Sequence, residues 1–476
     1  METPARSERT HHLRRALGAR DLVLFNIAAI LGLRWLSTSA QTGPSSLVLW
    51  VMAMVVFFIP SALAVMELSS RMPGEGGIYV WTRETFGPLH GFIAGWTYWI
   101  NNLFYFPSLL LFISGTFVFL GGGAWLHVAS SAVYNGLFAV VLLWFVIALN
   151  VVGLERAKWI QNVGALSTWA VFAILAVVGF AVWMEHGSAT TFTVDTVMPD
   201  LSRLSTITFF ATMTFAFAGL ELAPVMAGEI KDPRKSIPRA IWISGLMIVV
   251  IYVVGTAFLM VSLPDAEIGV ISGIPQAFAS LADKVDVAVL GFIGAALVVI
   301  ASSGGLGAWV AGAARMPFVV GIDRYLPTSL GKVHPKWGTP HVALIVQGVV
   351  ATLLLLAAVA GSTVEEAYVV LLDMTIILYF IPFLYLFAVL PFARGRRIGE
   401  DGDVLRVPGG STAVWTVTVL GFGATALSII LAMIPPEGTE APGLFIAKTI
   451  GGTMIFLAAG LVFYLRGRWK ASRSSH

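Results

Sequence analysis

Long apolar runs, separated by short polar segments, fill the chain from end to end. A helix crosses the hydrocarbon core of a bilayer with about 20 apolar residues. Runs of that kind predict an all-α membrane protein with twelve spans, at residues 21–42, 46–69, 88–119, 131–151, 159–184, 204–228, 237–263, 287–320, 340–360, 364–391, 412–434 and 443–465. The apolar run at 274–283 is too short to span, and we predict a re-entrant or surface helix there.

The sixth run is interrupted in its middle. It reads T-F-F-A-T-M-T-F-A-F-A-G-L-E-L-A-P-V-M-A-G-E from Thr208 to Glu229, with Gly219, Glu221 and Pro224 at the interruption. An unpaired backbone group costs several kcal/mol in hydrocarbon, and an intramembrane acid marks a functional site by default. The pattern fits a broken helix at a binding site. The alternative is a Gly/Pro kink whose acid is tied to a neighbouring helix.

The first run carries its own interruption, at Gly32, Arg34 and the hydroxyl residues 37–39. The two interrupted runs begin two consecutive sets of five spans. Since five is odd, the second set must lie inverted relative to the first. Interrupted helices at matching positions of inverted halves indicate an alternating-access site. The half-helix ends there offer N–H groups to a carboxylate and C=O groups to an ammonium, which suits an amino-acid zwitterion.

Composition and charge support this organisation. The chain is 57% hydrophobic and 12% charged, about half the charge of a soluble chain. With the N-terminus inside, 25 of the 29 Lys and Arg residues fall in inner segments, only Arg203 and Lys284 in outer ones, and Arg34 and Lys448 within spans. This bias predicts that both ends are cytoplasmic, and it explains the positive net charge without a nucleic-acid partner. The absence of cysteine excludes a disulfide-linked partner.

Enzyme chemistry finds no support in the residues. No phosphate-binding G-x-x-x-x-G-K-[ST] loop is present. The eight histidines are scattered, so we expect no metal site. We therefore predict neither an enzyme nor a cofactor.

Several motifs together resemble the amino acid–polyamine–organocation superfamily of transporters. They are A-V-M-E-L-S-S-R-M-P-G-E-G-G-I-Y-V-W at 64–81, F-A-F-A-G-L-E at 215–221, E-I-K-D-P-R-K-S-I-P-R at 229–239, G-G-L-G-A-W at 304–309 and D-R-Y-L-P at 323–327. The resemblance implies the leucine-transporter-type fold, an inverted 5+5 repeat with broken helices 1 and 6, driven by protons or exchange. L-R-x-L at the first interruption is similar to the glutamate/GABA antiporter branch.

On this basis the chain divides into four parts. Residues 1–20 are predicted as a cytoplasmic tail, 21–195 as the first repeat and 203–392 as the inverted second repeat. Residues 393–476 carry helices 11 and 12 and a cytoplasmic tail.

We expect the substrate to lie between the two interruptions. The resemblance implies that Phe215 and Trp309 are gating aromatics rather than core side chains, and that Asn102, or its neighbour Asn101, faces the substrate. The predicted substrate-binding residues are Ile30, Leu31, Gly32, Arg34, Asn102, Phe215, Phe217, Ala218, Gly219 and Trp309. The predicted proton carriers are Glu221 and Asp373.

Arg34 allows two interpretations. Its planar guanidinium suits a substrate carboxylate. Alternatively, it pairs with Glu221 or Asp373, since an unpaired intramembrane arginine is costly. The hydroxyls of Ser302 and Ser303 could contribute to a sodium site or bond to their own helix. We expect the second, and therefore no sodium coupling. Ser167 stands where some relatives carry a lysine.

The sequence thus predicts a secondary active amino-acid transporter, an exchanger or a proton symporter, in the inner (plasma) membrane of a prokaryote. It is expected to be a monomer or homodimer surrounded by lipid. One alternative is a polyamine or amine permease of the same fold. The other is a transporter-like sensor that binds solute without flux.

Overall fold

The computed structural model describes residues 16–264, 267–269, 272–323, 325–360, 364–400, 404–435, 439 and 441–473. Most of the predicted tail 1–20, and the last three residues of the chain, lie outside these. Within the described part, all regular structure is helical. Eleven helices there are long and apolar enough to cross a membrane, and the sixth predicted span supplies a shorter apolar helix. The twelve-span prediction is therefore confirmed.

The spans follow the predicted order with local irregularities. The first is split into Ala19–Ile30 and Arg34–Gln41, and the sixth into Leu204–Ala216 and Leu222–Val225. The second covers Ser46–Arg71 and includes a π-helical turn at Met54–Phe58. The third span is Pro88–Phe117, which the 3₁₀ segment Val118–Ala124 continues, and the eighth is Val289–Ala313 followed by Arg315–Ile322. The twelfth is Pro442–Arg473, with a π-helical turn at Ala447–Gly451. The remaining spans are Ala132–Val152, Leu154–His186, Pro233–Ser262, His341–Ala360, Val364–Gly395 and Gly410–Leu431.

Short helices occupy the connections. Ile78–Phe86 precedes the third span, and Gly273–Lys284 precedes the eighth, with Val194–Val197 between the halves. The 3₁₀ turns are Leu126–Val128, Ala227–Glu229 and Thr328–Gly331. Gly273–Lys284 is the run predicted as a re-entrant or surface helix. It buries Ile274, Phe278 and Leu281 and packs against the eighth span.

The packing reproduces an inverted repeat. The most extensive helix pairs join the third span to the tenth and the fifth span to the eighth. The third and eighth spans are counterparts in the two halves, and so are the fifth and tenth. One helix pair is therefore the repeat-related equivalent of the other. The two short helices at Ile78–Phe86 and Gly273–Lys284 also occupy equivalent places, each packed on the long span that follows it. The architecture is the predicted inverted 5+5 arrangement, with the broken first and sixth spans inside it.

Candidate functional site

Both predicted interruptions are real breaks in the helices. The first helix segment ends at Ile30, and Leu31 leaves helical geometry with φ −74° and ψ 77°. The helix resumes at Arg34. In the sixth span, regular helix ends at Ala216 and a single turn resumes at Leu222. Backbone groups at the breaks are therefore released from the regular helical bonding pattern.

Glycine is required at the second break for two reasons. Gly219 has φ +129°, a conformation that side-chain-bearing residues rarely adopt. A Cβ there would also lie 2.8 Å from Cγ1 of Ile30 and 3.3 Å from Cζ2 of Trp309. The two breaks thus touch each other through Gly219 and Ile30. At the first break a Cβ on Gly32 would lie 2.6 Å from Nε1 of Trp35, whose ring covers it.

A tyrosine of the seventh span bridges the breaks. The single hydrogen of the Tyr252 hydroxyl is shared between the carbonyl oxygens of Ile30, at 2.5 Å, and Ala216, at 3.0 Å, and the hydroxyl accepts from the N–H of Gly32 at 3.2 Å. The ring is fully buried and stacks on Trp50, with centroids 4.3 Å apart. Tyr252 was not among the site residues predicted from the sequence. The only signal was a tyrosine in the middle of an apolar span.

Glu221 is fully buried and bound on both oxygens. Its Oε1 accepts from the hydroxyls of Tyr98, at 3.0 Å, and Tyr379. Its Oε2 accepts from the N–H of Gly219 at 3.1 Å. The carboxyl group therefore ties the second break to the third and tenth spans. Neither tyrosine was anticipated from the sequence.

An aromatic cage lies beside the breaks. Phe215 lies edge-on to Trp35 and Tyr379, at centroid distances of 5.6 and 5.5 Å. Tyr105 contacts Trp309 at 5.3 Å, and Trp309 contacts Tyr379 at 5.8 Å. Nε1 of Trp309 also donates to the carbonyl oxygen of Ala29 at 2.7 Å. The two predicted gating aromatics are thus brought together by shared neighbours.

Arg34 lies in this cage, and no counter-charge for it is found in the described part of the chain. Its side chain is fully buried, and Nη1 donates to the hydroxyl of Ser108 at 3.0 Å. The guanidinium lies over the rings of Trp35 at 4.3 Å and Tyr105 at 4.8 Å. Nε and Nη2 have no hydrogen-bond partner among the described residues. Within that same part of the chain, no ion pair joins Arg34 to Glu221 or Asp373, so the alternative of a structural pair finds no support.

Other predicted residues lie farther from this centre or face elsewhere. Phe217 packs on Trp50 and Phe58, towards the second span. The amide nitrogen of Asn102 donates to the carbonyl oxygen of Tyr98 in its own helix, as does that of Asn101. Leu31 and Ala218 are buried within the breaks, and Asp373 is partly exposed on the tenth span.

Of the two serines expected to bond to their own helix, Ser302 and Ser303, the bond is found for Ser303, which donates to the carbonyl oxygen of Val299 at 2.7 Å. Among the described residues, no group of three or more His, Cys, Asp or Glu side chains could hold a metal ion.

Both ends of the site are covered. At one end, the N–H of Ile274 in the short helix Gly273–Lys284 donates to the hydroxyl of Ser37 at 3.1 Å. At the other, the N–H of Gly76 donates to the carbonyl oxygen of Val225 at 3.0 Å, and Leu17 pairs with Ile230 as an isolated parallel bridge. Hydrogen bonds thus join separate elements at both ends of the site.

A buried ion pair stabilises the second of these ends. Arg315 holds Glu229 with two bonds of 2.8 and 2.9 Å. The carboxyl of Glu75 joins them through the N–H of Gly228 at 2.5 Å, while its Oε1 is buried without a partner among the described residues. Burial and the neighbouring carboxylate of Glu229 raise the pKa of Glu75 to about 8, against the opposing influence of Arg315.

Comparison with known proteins agrees with this architecture. The family model for amino acid permeases matches residues 17–456. An uncharacterized transporter of Legionella pneumophila is 29% identical over 94% of this chain and 96% of its own. A probable agmatine/putrescine antiporter of Lactococcus lactis is 23% identical over 88% of each chain. A branched-chain amino acid permease of Bacillus subtilis is 29% identical over 72% of this chain and 74% of its own. The chain therefore belongs to the amino acid permease family, within the amino acid–polyamine–organocation superfamily, and is an integral membrane transporter.

Proposed function

We propose that the protein moves an amino acid across the membrane by alternating access, with the substrate held between the broken first and sixth spans. The observation that carries the proposal is the bridge made by Tyr252, which holds the Ile30 and Ala216 carbonyls and the Gly32 amide around one hydroxyl. Because each carbonyl oxygen has two lone pairs and the phenol has only one hydrogen, these carbonyls can still accept from the ammonium of a zwitterion. The cage of Phe215, Tyr105, Trp309 and Tyr379 lies beside the breaks and would shield a bound substrate from water.

The substrate class we propose is an amino acid with an acidic side chain. A dication such as a polyamine needs a free carboxylate, but both oxygens of Glu221 are already bonded by protein groups. A second substrate carboxylate needs a free cation, and Arg34 has two buried nitrogens without a partner among the described residues. Bidentate binding to a carboxylate would satisfy both nitrogens and relieve an otherwise uncompensated intramembrane charge.

The driving force we propose is exchange or proton symport, without a cofactor or a chemical reaction. Glu221 is the proposed proton carrier because it joins the second break to the third and tenth spans, and Asp373 is the alternative. Glu221→Gln and Asp373→Asn in reconstituted protein separate the two. The variant that abolishes the response of uptake to an imposed pH gradient identifies the carrier. If both variants respond like the wild type, neither residue carries the proton.

The proposed location is the plasma (inner) membrane of a prokaryote, with both ends in the cytoplasm. The distribution of 25 Lys and Arg residues on one side supports it. Cysteine accessibility tags at positions 202 and 470 test it, because the chain has no cysteine of its own. The first should react with an impermeant reagent from outside, and the second only after the cells are opened.

The function is tested with purified protein in sealed proteoliposomes. Labelled glutamate, a neutral amino acid and putrescine are offered to vesicles that are empty or preloaded with unlabelled substrate. Uptake that requires preloading indicates exchange, and uptake driven by a pH gradient alone indicates symport. Saturable binding of these compounds without flux would favour the sensor, and neither binding nor flux would contradict the transporter.

The substrate class is tested with Arg34→Gln and Arg34→Lys. We expect Arg34→Gln to reduce glutamate uptake about 10- to 100-fold, since a buried charged hydrogen bond contributes about 1.5–3 kcal/mol, and Arg34→Lys to restore part of it. Uptake of a neutral amino acid should change less. If the wild type transports amino acids but the ratio of glutamate to neutral uptake is the same in Arg34→Gln, the acidic class is wrong while the transporter stands.

A further inference from the structure

A basic cavity lies where the seventh span begins, away from the breaks. It has a volume of about 860 Å³ and is lined on the seventh-span side by Arg234, Lys235, Arg239 and Trp242. A loop that follows the tenth span supplies the other wall, with Leu405 and Arg406. Among the described lining residues, four cations face two carboxylates, Asp232 and Glu400. Glu400 is paired with Arg406 at 3.3 Å.

The wall formed by the loop is fixed by buried polar contacts. The N–H of Val407 donates to Oε2 of Glu67 at 2.7 Å, and the N–H of Leu405 donates to the hydroxyl of Ser70 at 3.0 Å. Glu67 is itself buried and held by Arg71 at 2.8 Å. The loop is therefore attached to the end of the second span, and the cavity has two defined sides.

The seventh-span cations are placed against their own helix. Arg234 and Lys235 lie in the first turn of the 30-residue helix Pro233–Ser262, whose N-terminus carries the positive end of the macrodipole. No ion pair or hydrogen bond of the side chains of Arg234, Lys235 or Arg239 is found within the described part of the chain. Cations at this N-terminus are repelled by the positive end of the dipole and by one another. An anion bound in the cavity would reduce both repulsions.

A second, apolar cavity continues the first along the same helix. It has a volume of about 210 Å³ and lies between the second and seventh spans. Its lining is Met54, Phe58, Ile59, Ala62, Leu63, Met66, Ile241, Trp242, Gly245, Leu246 and Val249. Trp242 lines both cavities. Gly245 leaves room beside Phe58, whose ring would be 3.5 Å from an added Cβ.

The order of these features matches the layers of a membrane. Basic residues come first, then Trp242, which is 67% exposed, and then apolar side chains such as Leu246, which is 71% exposed. Tryptophan is enriched at the boundary between headgroups and hydrocarbon. A soluble anion would fill only the basic cavity and leave the apolar one uncovered, whereas a lipid covers both.

We propose that this pair of cavities binds an anionic glycerophospholipid, with its phosphate among Arg234, Lys235 and Arg239 and an acyl chain against Gly245 and Leu246. Basic pockets between spans on the cytoplasmic side bind such headgroups in other membrane proteins. This lipid site does not depend on the proposed substrate, so its test is independent of the transport assays.

The test measures binding of phosphatidylglycerol and phosphatidylcholine to the detergent-purified, delipidated full-length protein by native mass spectrometry. The wild type is expected to prefer phosphatidylglycerol, and 0.5 M salt added before lipid removal should weaken its retention. Arg234→Gln with Lys235→Gln should reduce phosphatidylglycerol affinity about 30-fold. The matched control, Arg466→Gln with Arg468→Gln, removes two exposed cations at the end of the twelfth span and should leave the affinity unchanged.

Two further arms separate the lipid from a free anion. Gly245→Leu should lower phosphatidylglycerol affinity by filling the apolar cavity while the basic cavity stays intact. Inorganic phosphate at millimolar concentration should not displace the lipid. The proposal is overturned if the control pair loses as much affinity as the test pair, if the test pair binds like the wild type, or if phosphate displaces the lipid completely. A thermal unfolding scan of each variant verifies folding, and a misfolded double variant is replaced by Arg239→Gln.

Discussion

At the scale of single residues, the functional centre depends on polar groups that are scarce in this chain and fully buried. Tyr252, Glu221 and Arg34 each come from an otherwise apolar stretch. The two charged residues were recognisable in the sequence because an intramembrane charge is costly and therefore conspicuous. The tyrosines were not, because a tyrosine in an apolar span is compatible with packing alone. The role of the Tyr252 hydroxyl follows only from its contacts with the carbonyls of Ile30 and Ala216, which are distant from it in sequence.

Tyr252→Phe tests the bridge. Loss of the hydroxyl leaves the carbonyls of Ile30 and Ala216 without that donor, and an unsatisfied buried group costs about 1–3 kcal/mol. We expect a lower melting temperature in detergent and at least a tenfold fall in uptake. Tyr464→Phe is the control for stability, since its ring stacks on Tyr325 away from the breaks and no hydrogen bond of its hydroxyl is found within the described part of the chain. Equal melting temperatures for Tyr252→Phe and the wild type would contradict the bridge.

At the scale of elements, the sequence located the broken helices but not the way in which they are held. Gly32 and Gly219 identified the breaks, and both lie where predicted. The contact between Gly219 and Ile30 could not be foreseen, because it depends on how the two halves pack. For the same reason, Phe217 was grouped with the site although its ring packs on Trp50 and Phe58. Proximity in sequence to a break does not fix the direction of a side chain.

Gly219→Ala tests the geometry of the second break. The backbone conformation at φ +129° and the 2.8 Å approach to Ile30 together should destabilise the protein by about 2 kcal/mol or more. The expected result is a lower melting temperature and loss of uptake. Gly423→Ala is the matched control, because a Cβ in the middle of the eleventh span meets nothing within 4 Å. It should be neutral or slightly stabilising. Equal behaviour of the two variants would show that the break is not constrained.

At the scale of the whole molecule, alternating access requires that the contacts at the two ends open in turn. The end with Glu75, Glu229 and Arg315 has more of the described polar contacts than the other end, and these three residues come from separate parts of the chain. The sequence predicted the inverted repeat because an odd number of spans per half demands it. It could not show which loops meet at each end, since loop contacts follow from packing of all twelve spans.

Glu75 should make stability depend on pH. Its pKa is raised from 4.5 to about 8, so between these values the folded protein holds a proton that the unfolded chain has released. The free energy of unfolding should therefore fall as pH rises through this window, by at most about 1.4 kcal/mol per pH unit, and level off above it. Melting temperatures of the wild type and Glu75→Gln, measured from pH 5 to 8, test this.

The Glu75→Gln variant should lose most of that slope, because its amide has no proton to release. Glu185→Gln, at an exposed carboxyl, serves as the control and should keep the slope of the wild type. Parallel curves for Glu75→Gln and the wild type would show that another group is responsible.

The bridge at Tyr252 determines how the carbonyls at the two breaks are hydrogen-bonded before a ligand binds. A phenol carries one hydrogen, yet two carbonyl oxygens, those of Ile30 and Ala216, lie within reach of it. The carbonyl of Ile30 also accepts from the N–H of Gly32 at 2.8 Å, so it is the carbonyl of Ala216 that lacks the phenol hydrogen whenever that hydrogen points to Ile30. In the proposed transport cycle, an arriving ammonium group would supply that hydrogen without displacing the phenol, so the ligand would complete a bonding arrangement that the protein alone fulfils only in part.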